Sequence, residues 1–414
     1  MFSTYIRSIP TQNVKYINKH AVLDLIRFTP GGISRAELAE RLSLTRAAVT
    51  PIVDDLLERR LIQETHNRSS VNGRPPILLE INPDYGYIAG VDMGAAHLTV
   101  LIANFAAQVL IEREVGFEIA DGPAVCLRQV DELLRTLLNE LGLGLSDLAA
   151  IGVGVPGPIV AEAGMVLAPP IMPGWDRFPI RDALEARWGR PVLLGNDAEL
   201  GALGEWAYGA GRMEQNLAYI KIGRGIGAGL FIDGQIYRGA TGSAGEIGHM
   251  TIREDGPACT CGNRGCLEAI AGGRAVAAKV MAAIRCGRRT ELAALPEGEK
   301  MTIADVAEAA ARGDLVAQEV LAEAGAHVGI AIASLINLFN PNIVVVGGAA
   351  SKMGDVFMEP LRQTVMKRSL PAASQSVRIT TALLGGRSSA IGATVQALSL
   401  ALHEIALDRE GLRV

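Results

Sequence analysis

The segment from His249 to Glu268 reads His-Met-Thr-Ile-Arg-Glu-Asp-Gly-Pro-Ala-Cys-Thr-Cys-Gly-Asn-Arg-Gly-Cys-Leu-Glu, and it constrains the fold more than any other stretch. Cys259, Cys261 and Cys266 fall within eight residues, and His249 lies ten residues upstream of the first. Three thiolates and an imidazole are the ligand set of a closed tetrahedral zinc site. Gly262 and Gly265 let the backbone turn tightly enough to aim the sulfurs at one point. Inert reduced thiols or a disulfide are the competing readings. The opening Met-Phe-Ser-Thr-Tyr lacks a basic region followed by an apolar core, so a signal peptide is not expected and a cytoplasmic location is. Cysteine clusters in that compartment bind metal more often than they bridge. Structural zinc on His249, Cys259, Cys261 and Cys266 is therefore the expectation, with Cys126 and Cys286 as buried free thiols. Glu246 and Glu268 flank the cluster, which suggests a metal clip that keeps a binding pocket in shape.

At 414 residues the chain is too long for one ordinary core, and two or three domains are expected. Its most apolar region, Val328 to Ala350, is broken by Asn337, Asn340, Pro341 and Asn342. That pattern predicts a buried helix, a turn and a buried strand rather than a membrane span. Charge is uneven: residues 1–80 hold eleven Lys/Arg against eight Asp/Glu, while the whole chain is −5. A mildly basic head on an acidic body points to a polyanion partner for the head alone.

Within residues 1–80, Val14, Ile17, Ala21, Leu25 and Phe28 recur at helical spacing, and Thr29-Pro30-Gly31-Gly32 ends that helix. Ser34 and Glu37 form a capping box for a short helix beginning at Arg35. Thr45 caps a third helix with Val49, Ile52, Val53, Leu56 and Leu57 on one face. Helix, tight turn, helix is the unit that lays its second helix in the major groove of DNA. Leu61–Glu64 and Ile77–Glu80 read as paired strands of a wing with Arg68 and Arg74 at its tip. Arg35, Arg46, Thr50, Arg68 and Arg74 are the candidate DNA contacts, and Gly73-Arg74-Pro75 suits a minor-groove arginine on an extended backbone. Pro51 should leave the Ala47 carbonyl unpaired and bend the recognition helix. One such head binds weakly, which implies a homodimer or a dimer of dimers on a double-stranded operator. A protein-binding three-helix module is the alternative.

In the body, Ile88-Ala-Gly-Val-Asp92-Met-Gly94 followed by Leu98–Ala103 predicts a hairpin with an acidic tip. Ala218–Ile222, the glycine-rich Gly223-Arg224-Gly225-Ile226-Gly227-Ala228-Gly229 and Asn342–Gly348 repeat the theme, and Leu193–Asp197 ends a strand in a polar pair. Gly-Glu-Ile-Gly-His followed by Cys-Thr-Cys-Gly-Asn-Arg-Gly-Cys-Leu-Glu resembles the ROK family of bacterial glucokinases and NagC/Mlc-type or XylR-type sugar-responsive repressors. That resemblance spans about residues 11–400. It implies an α/β two-lobed actin-like ATPase body (sugar kinase/ribonuclease H-like) behind an all-α/winged helix-turn-helix head. The expected units are residues 1–80 for the head, 81–195 for the first lobe with helix 388–404 packed on it, and 196–387 for the second lobe with the zinc motif. It further implies that Asn196, Asp197, Glu246, His249 and Glu268 hold sugar hydroxyls, with the Gly154–Gly157 loop closing over the ring. His249 would then serve metal and sugar through its two nitrogens. Trp175 reads as a core anchor, and Ile171 replaces an asparagine common in the family's kinases.

The nucleotide-binding positions Asp92, Gly94, Gly223, Arg224, Gly225, Gly347 and Gly348 depart from the kinase pattern. Ala95-Ala96 replaces a Gly-Thr pair, Arg224 replaces threonine and Ala228 replaces glycine, so two hydroxyl donors are lost and Cβ atoms crowd the phosphate surface. ATP binding is doubtful, Asp197 is expected to be a vestigial base, and the body is expected to sense rather than phosphorylate. The expected effector is a monosaccharide such as glucose, xylose or N-acetylglucosamine. An ATP-dependent hexose kinase with a DNA-binding head and a sugar-blind docking platform are the other readings.

Overall fold

The structure, a computed structural model, describes residues 14–66, 77–167, 169, 171–295 and 301–406. The head contains helices α1 (Val14–Phe28), α2 (Arg35–Arg41) and α3 (Arg46–Glu58), then an antiparallel ribbon of β1 (Ile62–His66) and β2 (Ile77–Ile81). Ser34 caps α2 through the full capping box with Glu37, and Thr45 caps α3. Helix α3 is continuous through Pro51. The buried face of α1 differs from the periodic one: Tyr16, Lys19, Val22, Leu23 and Ile26 are buried, whereas Ile17 is exposed. A tertiary contact turns the helix: Lys19 reaches Asp55 of α3 at 2.8 Å, and Tyr16 packs against the C-terminal helix.

Behind the head come β3 (Tyr87–Met93), β4 (His97–Asn104), β5 (Val109–Gly116), α4 (Pro123–Glu140) and β6 (Leu148–Val155). The small hairpin β7 (Ile159–Val160) and β8 (Met165–Val166), α5 (Ile180–Trp188) and β9 (Val192–Asn196) complete the lobe. The sheet order is β5-β4-β3-β6-β9, antiparallel through the hairpins and parallel from β3 to β9. Both faces are covered, by α4 and α5 on one side and by helical residues near the C-terminus on the other, so β3 and β6 are buried along nearly their whole length.

The second lobe follows the same plan. After α6 (Asp197–Tyr208), β10 (Leu217–Ile222), β11 (Ile226–Ile232) and β12 (Gln235–Ile236) make the antiparallel half. Helices α7 (Leu267–Ala271), α8 (Gly273–Arg285), α9 (Ile303–Ala311) and α10 (Leu315–Phe339) precede β13 (Ile343–Gly348). Then come α11 (Gly354–Arg368), α12 (Pro371–Ser374) and β14 (Arg378–Thr381), giving the order β12-β11-β10-β13-β14. Helix α10 is long and apolar enough to cross a membrane by composition, but most of it is buried here. It packs on α11 so closely that a Cβ at Gly325 or Gly329 would strike the Phe357 or Leu361 carbonyl.

Helix α13 (Ser388–Ala406) lies between the first sheet and α6, with nearly every residue buried. Its distal half shares one hydrophobic core with the head: Leu398, Ala401 and Leu402 join Leu23, Ile26 and Val53. Arg27 of α1 donates to Ser399 Oγ at 2.8 Å and to the Val395 carbonyl at 3.0 Å. Phe28 meets the Trp206 ring edge-on, and Trp206 stacks on Phe231 of the second lobe. Glu205, wholly buried, accepts backbone N–H groups from Ala210, Leu383 and Leu384 and the Ser388 hydroxyl, fastening α6 to the start of α13.

Candidate functional site

A short turn, Ile247–His249, brings His249 beside an irregular loop pinned by the bridges Thr251–Cys266 and Ala258–Arg264. Gly262 and Gly265 hold φ of 92° and 66°, and a side chain at Gly265 would collide with the Arg253 carbonyl. The ligand atoms of His249, Cys259, Cys261 and Cys266 lie within 4.8 Å of one another. His249 Nδ1 is 3.7 Å from Cys259 Sγ, and Cys261 Sγ is 3.8 Å from Cys266 Sγ. A tetrahedron with metal–sulfur bonds of about 2.3 Å has edges of about 3.8 Å, so the four side chains fit a metal ion of that coordination. Cys126 is buried as expected. Cys286 is not: it caps the end of α8 and is exposed, because the amphipathic helix turns that position to solvent.

The metal loop forms one wall of the cleft between the lobes, at the C-terminal ends of the strands of both sheets, where open α/β sheets place their ligands. A cavity of about 270 Å³ there is lined by Gly157, Asn196, Asp197, Glu246, His249 and Glu268, so the structure brings together all six residues expected to bind sugar. Asn196 caps α6, its carboxamide oxygen accepting from Ala198 and Glu199, while its NH₂ donates to the Gly157 carbonyl at 3.0 Å. It thus ties the Gly154–Gly157 loop to α6 and keeps one N–H for a ligand. Asp197 follows as the first residue of α6. Glu268 accepts the Ile226 N–H at 3.1 Å and lies over Gly225, where a Cβ would meet its carboxylate. With Nδ1 of His249 turned to the sulfurs, Nε2 faces Glu246 at 3.9 Å. Burial, with Asp197 and Glu268 nearby, pushes the Glu246 carboxyl above its usual range despite His249. A neighbouring cavity of about 450 Å³ backs onto Gly245 and Glu246; Arg238, Thr241 and Ser243 line it beside Leu335, Leu338 and Phe339, but Asn196, Asp197, His249 and Glu268 do not.

Ion pairs that sequence reasoning missed span the opposite end of the cleft. Lys221 of β10 reaches Asp197 at 3.0 Å, Asp92 of β3 at 3.3 Å and Ser389 Oγ at 3.1 Å. Burial would lower the Lys221 pKa, but Asp197 and Asp92 raise it well above its ordinary value. Burial would likewise raise Asp92, yet Lys221 and His97 hold its carboxyl at about 2. Arg224, at the β10–β11 turn, makes a two-pronged pair with Glu118 of the first lobe at 2.5 and 2.8 Å. Its charge is spent across the cleft.

Of the remaining nucleotide-type positions, Gly223 is open and lines the cleft, whereas Gly94, Gly347 and Gly348 are crowded. A Cβ at Gly94 would enter the His97 ring, and Gly347 is pressed against Tyr219. Neither Gly347 nor Gly348 lines the 270 Å³ cavity. Ile171 lines it, whereas Trp175 is fully buried and donates its indole N–H to the Ile119 carbonyl. In the head, Arg46 and Thr50 are exposed on α3, and Thr50 Oγ1 donates back to the Arg46 carbonyl. Arg35 pairs with Asp54 at 2.9 Å and Glu64 at 3.4 Å. Arg68 and Arg74 lie outside the described residues.

Comparison with known proteins matches residues 88–399 to the model of the ROK family. The chain is 34% identical over 386 residues to a putative xylose repressor of Caldicellulosiruptor sp. (strain Rt8B.4), covering 93% of this chain and 96% of that one. A crystal structure of a ROK family transcriptional regulator, a homolog of the E. coli MLC protein, superposes with a TM-score of 0.78 at 30% identity, over 95% of this chain and 98% of that one. A ROK family glucokinase from Streptomyces griseus, solved with glucose and AMPPNP, gives a TM-score of 0.67 at 29% identity, over 75% of this chain and 99% of that one. The regulator aligns with head and body together and the glucokinase only with three quarters of the chain. With residues 88–399 matching the family model and a relative 34% identical over 93% of its length, this chain belongs to the ROK family.

Proposed function

We propose that the protein is a DNA-binding transcriptional repressor of sugar-metabolism genes, released from its operator by a monosaccharide bound in the cleft. One observation carries this reading: α13 touches both ends of the required path. Its first turn donates Ser389 Oγ to the Asp197 carbonyl at 2.7 Å in the cleft, and its distal half is buried against the head. A sugar that changes the angle between the lobes thereby changes the pose of α3. Asp197, Glu246 and Glu268 supply convergent acceptors, and Asn196 NH₂ and His249 Nε2–H supply donors, the mixture that a polyol requires. Arg46 and Thr50 on α3, Arg35 at the head's edge, and Arg68 and Arg74 in the wing are the residues assigned to DNA. His249, Cys259, Cys261 and Cys266 would hold structural zinc, which fixes the loop that presents His249 to the sugar. The units 1–80, 81–195 and 196–387 act as head and two lobes of a cytoplasmic homo-oligomer on a two-fold operator.

The kinase reading rests on Asp197, which stands where the family's kinases keep their base. In this chain Lys221 binds that carboxylate, and Arg224 and Lys221 bridge the phosphate end of the cleft. A sugar panel beginning with xylose, by analogy with the named relative, tests the proposal. The effector is expected to raise Tm, by about 2.7 kcal/mol of added stability at a hundredfold excess over Kd, and to lower the affinity for an operator selected from genomic fragments. Turnover of ATP with any sugar, abolished by Asp197→Asn, would overturn it in favour of the kinase.

A further inference from the structure

The sugar cavity does not end at Glu268. A second chamber of about 230 Å³ adjoins the first, and Ile171, Arg224, Gly225 and Glu268 belong to both walls. Thr260 of the metal loop and Arg274 of the first turn of α8 face it, and small residues (Ala258, Ala269, Ala275) leave it unfilled. The chamber is mostly apolar, with Arg224, Thr260, Glu268 and Arg274 as its polar side chains, and it is close to neutral. Arg224 is balanced by Glu118, and Arg274, which no carboxylate among the described residues pairs with, is opposed by the Glu268 carboxylate across the same space. Guanidinium donors, a hydroxyl and a carboxylate without net charge suit a polyol rather than a phosphate or a uronic acid, each of which needs uncompensated positive charge.

We infer that the chamber beyond Glu268 is a subsite for a second sugar ring, so that the preferred effector is a neutral disaccharide. The inference rests on the sugar-sensing role proposed above. Glu268 lines both cavities, so a ring held by Glu246, His249 and Glu268 has one edge at the passage, and a substituent on the hydroxyl at that edge passes beside Glu268 into the chamber. Arg224 and Ile171 line both cavities, and Ile171 offers an apolar surface to the C–H face of a ring. A monosaccharide leaves Thr260 and Arg274 unused.

Calorimetric titration of the full-length protein tests this with glucose, xylose and N-acetylglucosamine beside their α- and β-linked homodisaccharides. At least one disaccharide should bind about tenfold more tightly than its own monosaccharide, a difference of about 1.4 kcal/mol. Ala275→Trp, on α8 and outside the metal loop, should fill the chamber and erase that gain while leaving the monosaccharide Kd within about twofold. Arg274→Ala should remove part of the gain. Binding of a monosaccharide with every disaccharide equal or weaker overturns the subsite and leaves the sensor intact. So does a gain that survives both substitutions. Binding of no sugar of either size overturns the sensor itself, and the subsite with it.

Discussion

Asp92 is fully buried at the end of β3, with Lys221 and His97 as the groups that justify its charge. Buried ion pairs add little net stability while both members are present, but removing one strands the other without solvent. Lys221→Met should therefore destabilise the fold by about 3–5 kcal/mol, read as a lowered midpoint in urea, and adding Asp92→Asn should restore much of the loss. The same pair gives a pH signature. The folded Asp92 carboxyl is held at about 2, below its ordinary 3.8, so its contribution is present above pH 4 and disappears as pH falls from there through 2. Asp92→Asn should flatten the stability curve in that window relative to the parent. An unchanged slope there would show that Asp92 carries no linked proton.

At the scale of elements, the metal loop and the β10–β11 turn are two walls of the cleft. Cys259→Ser removes one ligand of four; we expect the purified variant to lose its metal, measured by inductively coupled plasma emission, and its sugar-dependent rise in Tm together. Normal sugar response in a metal-free variant would separate the two. Glu118→Gln releases Arg224 and frees the lobes to part. Because the pair is only partly buried, the expected cost is about 0.5–1 kcal/mol of sugar affinity, roughly two- to fivefold in Kd by calorimetry. These walls differed in how far the sequence revealed them. The metal loop, the Ser34–Glu37 capping box and the hairpins were legible because their partners lie within a few residues or repeat with a fixed period. The Lys221–Asp92 and Arg224–Glu118 pairs join residues 129 and 106 apart, and no local pattern marks them. The face of α1 was misread for the same reason: Tyr16 meets His403, 387 positions away, and that contact turns the helix from its most periodic stripe.

Across the whole molecule, the question is how a sugar bound between two lobes reaches a helix on DNA. The head does not dangle from a linker, since its core is continuous with α13 and the back of the first sheet. Asp197, α6 and α13 are in turn locked together by Glu205 and Ser389. Movement of α13 must therefore carry α1, and two polar links join them: the Tyr16 hydroxyl meets the His403 ring, and Arg27 donates to Ser399 and Val395 with its guanidinium also 4.6 Å above the Phe28 ring. Arg27→Met keeps most of the side-chain stem and removes the two hydrogen bonds to Ser399 and Val395. The coupling free energy between sugar and operator is RT times the logarithm of the ratio of operator affinities with and without sugar, and that ratio must be equal when measured from the sugar side. If α13 is the route, Arg27→Met should leave the affinity for sugar in the absence of DNA unchanged and reduce that ratio by about fivefold, or about 1 kcal/mol. Fluorescence anisotropy on the operator with and without sugar reads it directly. A variant that is fully coupled despite the missing hydrogen bonds would move the route to the Tyr16–His403 contact or to the aromatic chain from Phe28 through Trp206 to Phe231, which reaches the second lobe without passing along α13.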